Sequence, residues 1–450
     1  MKICFIPIDN RPVCYDLAKK IVAMDESIEL IMPPKQLLGD LKQVAQIDEI
    51  LSWLQIHSNV DCMVLSLDTL VYGGLIPSRR GVGGYLESFN ELQERINKLK
   101  SLLRNKKVFA FSSIMRISNN NYNEEEKEYW SQYGTEIFKY SFEYHKAIKQ
   151  NSNLPKTNIP KDILDDYLNT RKRNFEINKL YLEWQKEGIF DTLIFSKDDC
   201  AEYGFNVLEA EELATLGGFT KTGADEIPLS LLARCLDKKI KIFPQFVEPD
   251  YKNLISNYED VSIEKSTLSQ IELCGFELAN SYNEADVILI VNNFIEKQGE
   301  LVMNWDTELF NKIFTVPNKP YCIADVRFAN GADNKFIKQL LPQIDLKNFN
   351  GYAGWNTSAN TLGSLLASVK YKWNANKYNE KAFKKLQMVR FLDDWAYQAN
   401  VRKEIVTTSD IKDLMKKYED ILFEVLQYKP EKNIEYIYPW NRKFEIEVIL

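Results

Sequence analysis

The chain has 450 residues, 45% hydrophobic and 27% charged, with a formal net charge of -7 and a pI near 5.4. These proportions are ordinary for a globular protein. They give no electrostatic case for a nucleic-acid partner, because Lys and Arg are dispersed among Asp and Glu without a basic stripe.

The length suits one large α/β domain with an appendage, or two to three ordinary domains. The opening MKICFIPIDNRP has an apolar run too short for a secretory signal and lacks a small-residue cleavage site. No stretch approaches the roughly 18 apolar residues of a membrane span. Cys4, Cys14, Cys62, Cys200, Cys235, Cys274 and Cys322 are scattered and form no CxxC. That argues against a zinc knuckle and for a reducing compartment. A cytoplasmic protein without membrane or nucleic-acid partners is expected. Only His57 and His145 occur, each in a helical pattern that suits a structural role. Zinc hydrolysis and imidazole triads are therefore disfavoured. Chemistry here leans on carboxylates, Tyr, Lys or Arg, and no cofactor is implied.

In chain order, KICFIPI reads as a strand ending at Asp9-Asn10-Arg11-Pro12. Arg11 could grip a substrate hydroxyl or carboxylate bidentately; equally, Asp9 and Arg11 could brace the turn as an internal ion pair. SIELIMP is a second strand. DCMVLSLD is a third and runs into SLDTLVYGGLIPSRR. There Asp68 stands at the strand end and Tyr72 precedes Gly73-Gly74, which either admit a ligand close to backbone or make a turn. No GK[ST] follows, so this is not a Walker A loop. Ser78, Arg79 and Arg80 could bind an anion, although two arginines more usually make a solvated face. KVFAFSSIMR, a fourth strand, brings Ser112, Ser113 and Arg116.

Residues 117 to 188 are polar and helical, far longer than an ordinary connection. They predict an all-helical cap, with the NEEEK run as a solvated helix face. DTLIFSKDDCAEYG follows, and its strand ends on Asp198 and Asp199. Two carboxylates in one partly desolvated pocket cannot both ionise freely, so one keeps its proton as a general acid requires. The bland alternative has Asp198 capping the next segment and Asp199 pairing with Lys197.

TGADEIPLSLLARC reads as a helix start, where Asp225 and Glu226 suit the dipole. KIKIFPQF, ADVILIVNN and YCIADVRFANG are further strands, the last leading to Asp325, Arg327 and Asn330. NFNGYAGWN is a ninth candidate. Trp355 with Asn356, Thr357 and Asn360 joins an aromatic plane to amides and hydroxyls, as sugar recognition requires. From about Lys381 a C-terminal unit is expected: a helix containing MVRFLDDWAYQ, with Arg390 and Asp394 paired i,i+4, a helix around SDIKDLMKKYEDILFEVL, and a terminal strand in KFEIEVIL. No sequence repeat is evident.

Strands alternating with helices predict a mostly parallel sheet. Polar groups follow most strands at their C-terminal ends. That favours a (β/α)8 TIM-like barrel over residues 1–380, with the helical insertion at 117–188 and a small, mainly helical α/β unit at 381–450. A doubly wound parallel sheet is the alternative.

The order IDNRPV, SLDTLVYGGLIPSR, SSIMR, RKRN, KDDCAEYG, TGADE, DVRFANGAD and GYAGWNTSANTLG resembles a bacterial family catalogued as a domain of unknown function, number 4127, from residue 1 to about 400. That family more often has a second acid at the position of Asn10, so position 10 is given no role. More loosely, the adjacent aspartates are similar to the pair in substrate-assisted N-acetylhexosaminidases. That likeness implies Asp198 as orienter of the substrate acetamide and Asp199 as acid and base.

The expectation is a glycoside hydrolase acting on N-acetylhexosamine-containing or related small glycans. Asp198 and Asp199 would be catalytic, and Asp9, Arg11, Asp68, Tyr72, Asp325, Asn330, Trp355 and Asn356 would bind substrate. Two alternatives stand beside it. One is a Mg²⁺ or Mn²⁺ hydrolase of phosphate or amide bonds using Asp9, Asp68, Asp198, Asp199 and Asp325. The other is a non-enzymatic sugar- or metabolite-binding protein.

Overall fold

Parallel strands buried on both faces read as unbroken apolar runs, and all nine runs singled out above contain one. The computed structural model describes residues 1–41, 43–81, 85–405 and 411–450. Its strands are β1 Lys2–Ile6, β2 Glu29–Ile31, β3 Cys62–Ser66, β4 Val108–Ile114, β5 Thr192–Lys197, β6 Phe219–Thr222, β7 Lys241–Phe246, β8 Glu277–Leu278 and β9 Val287–Asn292. They continue with β10 Gly299–Glu300, β11 Tyr321–Asp325, β12 Phe328–Ala329, β13 Phe349–Ala353, β14 Glu435–Ile437 and β15 Glu447–Ile449. The sequence pattern missed β6, β8, β10 and β14, which are too short to register.

The strands do not close into a barrel. They form two open parallel sheets, one ordered β2-β1-β3-β4-β5-β6 and the other β13-β11-β9-β7-β8. A barrel needs each strand to pair with the next. Here the chain turns back at β1, which pairs with β2 on one side and β3 on the other. At β7 the chain does the same with β8 and β9. Counted from its own first strand, each sheet begins 2-1-3-4-5, an order known from doubly wound folds. Residues Met1–Tyr15, Glu29–Pro228 and Tyr258–Asp260 make one compact unit; Asp16–Ile28, Leu229–Asn257 and Val261–Leu450 make the second.

In the first unit, β3 and β4 are wholly buried. Helices such as Phe89–Leu103 pack their apolar stripe (Leu92, Ile96, Leu99 and Leu103) into the same core. The expected helical insertion is present as Trp130–Gln150 and Lys161–Lys186. It has a small core of its own built from Met115, Ile117, Trp130, Ile137, Ile159, Tyr167 and Phe205. The later turns of its second helix bury Ile177, Tyr181 and Trp184 in the main core.

In the second unit, the Glu380–Arg390 helix continues into a π-wound segment, Phe391–Val401, where Arg390 and Asp394 pair at 3.7 Å as the spacing predicts. The next helix runs Ile411–Val425, and Ser409 and Asp410 lie outside the described residues. The expected terminal strand is β15, antiparallel to β14.

Gly73 ends the short helix Leu67–Tyr72 at φ +83, donating its N–H to the Asp68 carbonyl. A Cβ there would lie 2.1 Å from Val44 Cγ1 and 3.2 Å from the Ala45 nitrogen. Gly73→Ala should therefore destabilise the chain by about 1–3 kcal/mol, seen as a lower Tm. Gly188→Ala, at φ +77 with nothing within 4 Å of its Cβ, should cost less.

Candidate functional site

In open parallel sheets, ligands bind beyond the C-terminal strand ends, so the residues after β1, β3, β4, β5 and β6 define the candidate site of the first unit. After β1 the chain turns through Asp9, whose carboxylate accepts the Arg11 backbone N–H at 2.9 Å and Nε at 2.8 Å. The other edge of the same guanidinium meets Asp225, after β6, with Nη2 at 2.6 Å and Nη1 at 3.2 Å. The internal pairing weighed for Asp9 and Arg11 is therefore present, and Asp225 extends it. Asp225 is not simply a helix-dipole residue.

After β4, Arg116 gathers four carboxylates. Its Nε lies 2.9 Å from Glu126, Nη2 lies 3.0 Å from Glu125, and Nη1 lies 3.1 Å from Asp199 and 3.6 Å from Asp198. Arg79, only 1% exposed, contacts the same two glutamates at 3.1 Å each. Its Nη1 has no hydrogen-bond partner among the described residues. Two readings from sequence are thus corrected. The NEEEK run precedes the first insertion helix rather than forming its solvated face, and it delivers Glu125 and a buried Glu126 to the strand ends. Arg79 likewise belongs to the interior. Neither position carries a local signal, because a charge run looks the same whether water or a guanidinium neutralises it.

Asp198 and Asp199 remain the most accessible carboxylates of the Arg116 cluster apart from Glu125, with side chains 19% and 29% exposed. Asp199 has a left-handed φ of 42, a conformation a non-glycine residue holds only when its surroundings impose it. Lys197 does not pair with Asp199; it pairs with Asp260, which also accepts the Thr222 hydroxyl at 2.7 Å. Burial pushes both aspartates up, and the Asp198 charge adds to the effect on Asp199, raising it to about 6 although Arg116 opposes.

Asp68, after β3, is buried and accepts the Ser113 N–H at 2.8 Å. Its burial raises it to about 7. Tyr72 is also buried, its ring beneath the Arg173 guanidinium at 5.0 Å.

The remaining predicted residues, Asp325, Asn330, Trp355 and Asn356, belong to the second unit. Asp325 is fully buried and raised to about 7 by that burial and by the Asp333 charge. It accepts Asn292 Nδ2 at 2.8 Å, the Asp333 N–H at 2.9 Å and the Tyr352 hydroxyl at 3.3 Å. Asn330 and Asn356 are both left-handed, and Asn330 Nδ2 donates to Glu300 at 2.6 Å. Trp355 is 3% exposed and packs against Phe444. Among the described residues, no three His, Cys, Asp or Glu side chains are disposed to hold a metal ion. No helix of the described residues is long and apolar enough to cross a membrane. The seven cysteines are buried and outside disulfides.

A family model described as "Protein of unknown function (DUF4127)" matches residues 3–449, and the chain belongs to that family. No curated protein and no solved structure matches it. The looser likeness to N-acetylhexosaminidases has no support, since no such protein matches and the aspartate pair stands on an open sheet.

Asp68 gives a stability test with a definite sign. Its carboxyl is raised from the ordinary range to about 7 in the fold, so the native chain binds the proton more tightly than the unfolded one. Its contribution is complete below about pH 4 and is lost as pH rises through about 7. Asp68→Asn keeps an acceptor for Ser113 and cannot ionise. It should raise Tm by about 2–4 °C at pH 8 and leave it nearly unchanged at pH 5.

Proposed function

We propose that this member of the family is a glycoside hydrolase whose acid/base chemistry resides on the Asp198–Asp199 loop of the first unit. The observation that carries the reading is the pair itself. Two adjacent, partly accessible carboxylates share one nitrogen of Arg116 at the end of a central parallel strand. Like charges at such separation retain a proton between them. The more exposed Asp199, raised to about 6, is suited to hold that proton and deliver it to a leaving oxygen. Asp198 would then be the ionised partner, acting as nucleophile or as base for water.

The charge balance supports a neutral, polyhydroxylated substrate. Asp9 and Asp225 share Arg11, while Glu125, Glu126, Asp198 and Asp199 share Arg79 and Arg116, so carboxylates outnumber guanidiniums. A phosphate ester would meet net repulsion there. Hydroxyls can donate to carboxylates and accept from arginines alike.

A panel of chromogenic glycosides, with phosphate monoesters alongside, tests the reading. Asp199→Asn should lower kcat about a thousandfold while the fold persists by circular dichroism. In the wild type, kcat/KM should fall as pH rises above about 6, where Asp199 loses its proton. Near-normal turnover by the variant, or activity confined to phosphate esters, would overturn the proposal.

A further inference from the structure

Residues 198–204 join β5 to the Phe205–Thr215 helix without regular structure of their own. Side chains from neighbouring helices hold this loop. Asn206, fully buried, donates Nδ2 to the carbonyls of Asp198 at 3.4 Å and Asp199 at 3.3 Å. At the far end, Ser141 Oγ accepts the Phe205 N–H at 2.7 Å, and His145 Nδ1 accepts the Gly204 N–H at 3.1 Å. The fit is close: a Cβ on Gly204 would lie 2.7 Å from Asn206 Oδ1. Ser141 and His145 stand four residues apart on the Trp130–Gln150 helix, so they share one face. The helical insertion thus reaches the loop that carries the aspartate pair.

The chemistry of the ring fixes its state. Nδ1 can accept from Gly204 only without a proton of its own, so the proton of the neutral ring lies on Nε2, which faces Glu211 Oε2 at 3.3 Å. Protonating Nδ1 would set one N–H against another. The ionisable groups facing the ring are Glu211 on the Phe205–Thr215 helix, Lys149 on its own helix and Tyr203 in the loop, and Lys149 also pairs with Glu211 at 2.7 Å. The ring is 1% exposed. Burial lowers its affinity for the second proton, and Glu211 only partly opposes this. The ring is therefore unprotonated at Nδ1 at neutral pH, free to accept the Gly204 N–H.

We infer that His145 is a positioning residue for the Asp198–Asp199 loop: its unprotonated Nδ1 anchors the loop through Gly204, and protonation of that nitrogen releases it. The inference rests on the proposed role of the pair only for its consequence in catalysis.

The chain suits a direct test because it holds just two histidines. Full-length protein with ¹⁵N-labelled histidine, with His57→Gln to assign the signals, should show His145 protonated on Nε2 at pH 7.5. The Gly204 amide should shift in step with His145 as pH falls. His145→Leu cannot accept from Gly204, whereas the side-chain carbonyl of His145→Gln can. The Asp199 carboxyl titration, read by ¹³C shift, should move by about half a pH unit or more in His145→Leu and stay near wild type in His145→Gln.

A wild-type ring protonated on Nδ1 would overturn the inference, and that result needs no variant to fold. So would an unmoved Asp199 titration in His145→Leu, or equal shifts in both variants. Turnover enters none of these readouts, so failure of the glycosidase reading and failure of the inference are separately visible.

Discussion

The strand-end architecture of the first unit depends on one guanidinium. Arg116 is followed closely by the insertion, and it meets Glu125 and Glu126 from that insertion and Asp198 and Asp199 from the end of the neighbouring strand. Removing a half-buried cation of this kind leaves several carboxylates uncompensated, which is costlier than losing a surface pair. With it in place, their charges are only partly balanced. Burial raises both aspartates, the Asp198 charge adding to it at Asp199, although Arg116 opposes. One guanidinium thus ties the insertion to the loop that carries the aspartate pair.

The second unit repeats the strand order with a different arrangement of charges at its strand ends. Beyond β7 and β11, Glu248 and Arg327 pair at 2.9 Å, Lys312 adds a second cation to Glu248, and Arg327 approaches Asp333 at 3.4 Å. Arg327, Asp325 and Asp333 are all fully buried. Each carboxylate there has a designated donor or cation, so the network closes on itself. Buried, satisfied networks of this sort specify packing. The Asp198–Asp199 pair differs in that both side chains are partly exposed.

Every apolar run read as a strand contains one; the reason is clearest for β3, β4, β9 and β11, which are buried on both faces and so apolar almost throughout. Closure was not legible. The same βα alternation serves a barrel and an open sheet, and the choice turns on whether β1 pairs with β2 alone or also with β3. Polar strand ends misled for a related reason. Such ends suit the shared mouth of a barrel, whereas here many of them neutralise one another, as Arg11 does with Asp9 and Asp225. The aspartate pair was legible from its adjacency after a strand. Its partners were not: Glu125, Glu126 and Arg79 are distant in sequence or sit in runs that ordinarily face water. Trp355 likewise has a partner that the local sequence does not show: Phe444, nearly ninety residues on, packs against its ring.

The insertion gains a definite purpose from these contacts. A helical cap could be an independent embellishment, and its own small core is consistent with that. Yet its approach supplies the two glutamates on Arg116, and its first helix supplies the acceptors for the Gly204 and Phe205 amides. One set of contacts adjusts the charge around the aspartate pair; the other fixes the backbone on which the pair stands. The left-handed backbone of Asp199 is a conformation that surroundings have to enforce, and Asn206 enforces it from the opposite side. The long polar stretch between β4 and β5 is therefore part of the site's framework, and the loop's geometry follows from the insertion as much as from the sheet.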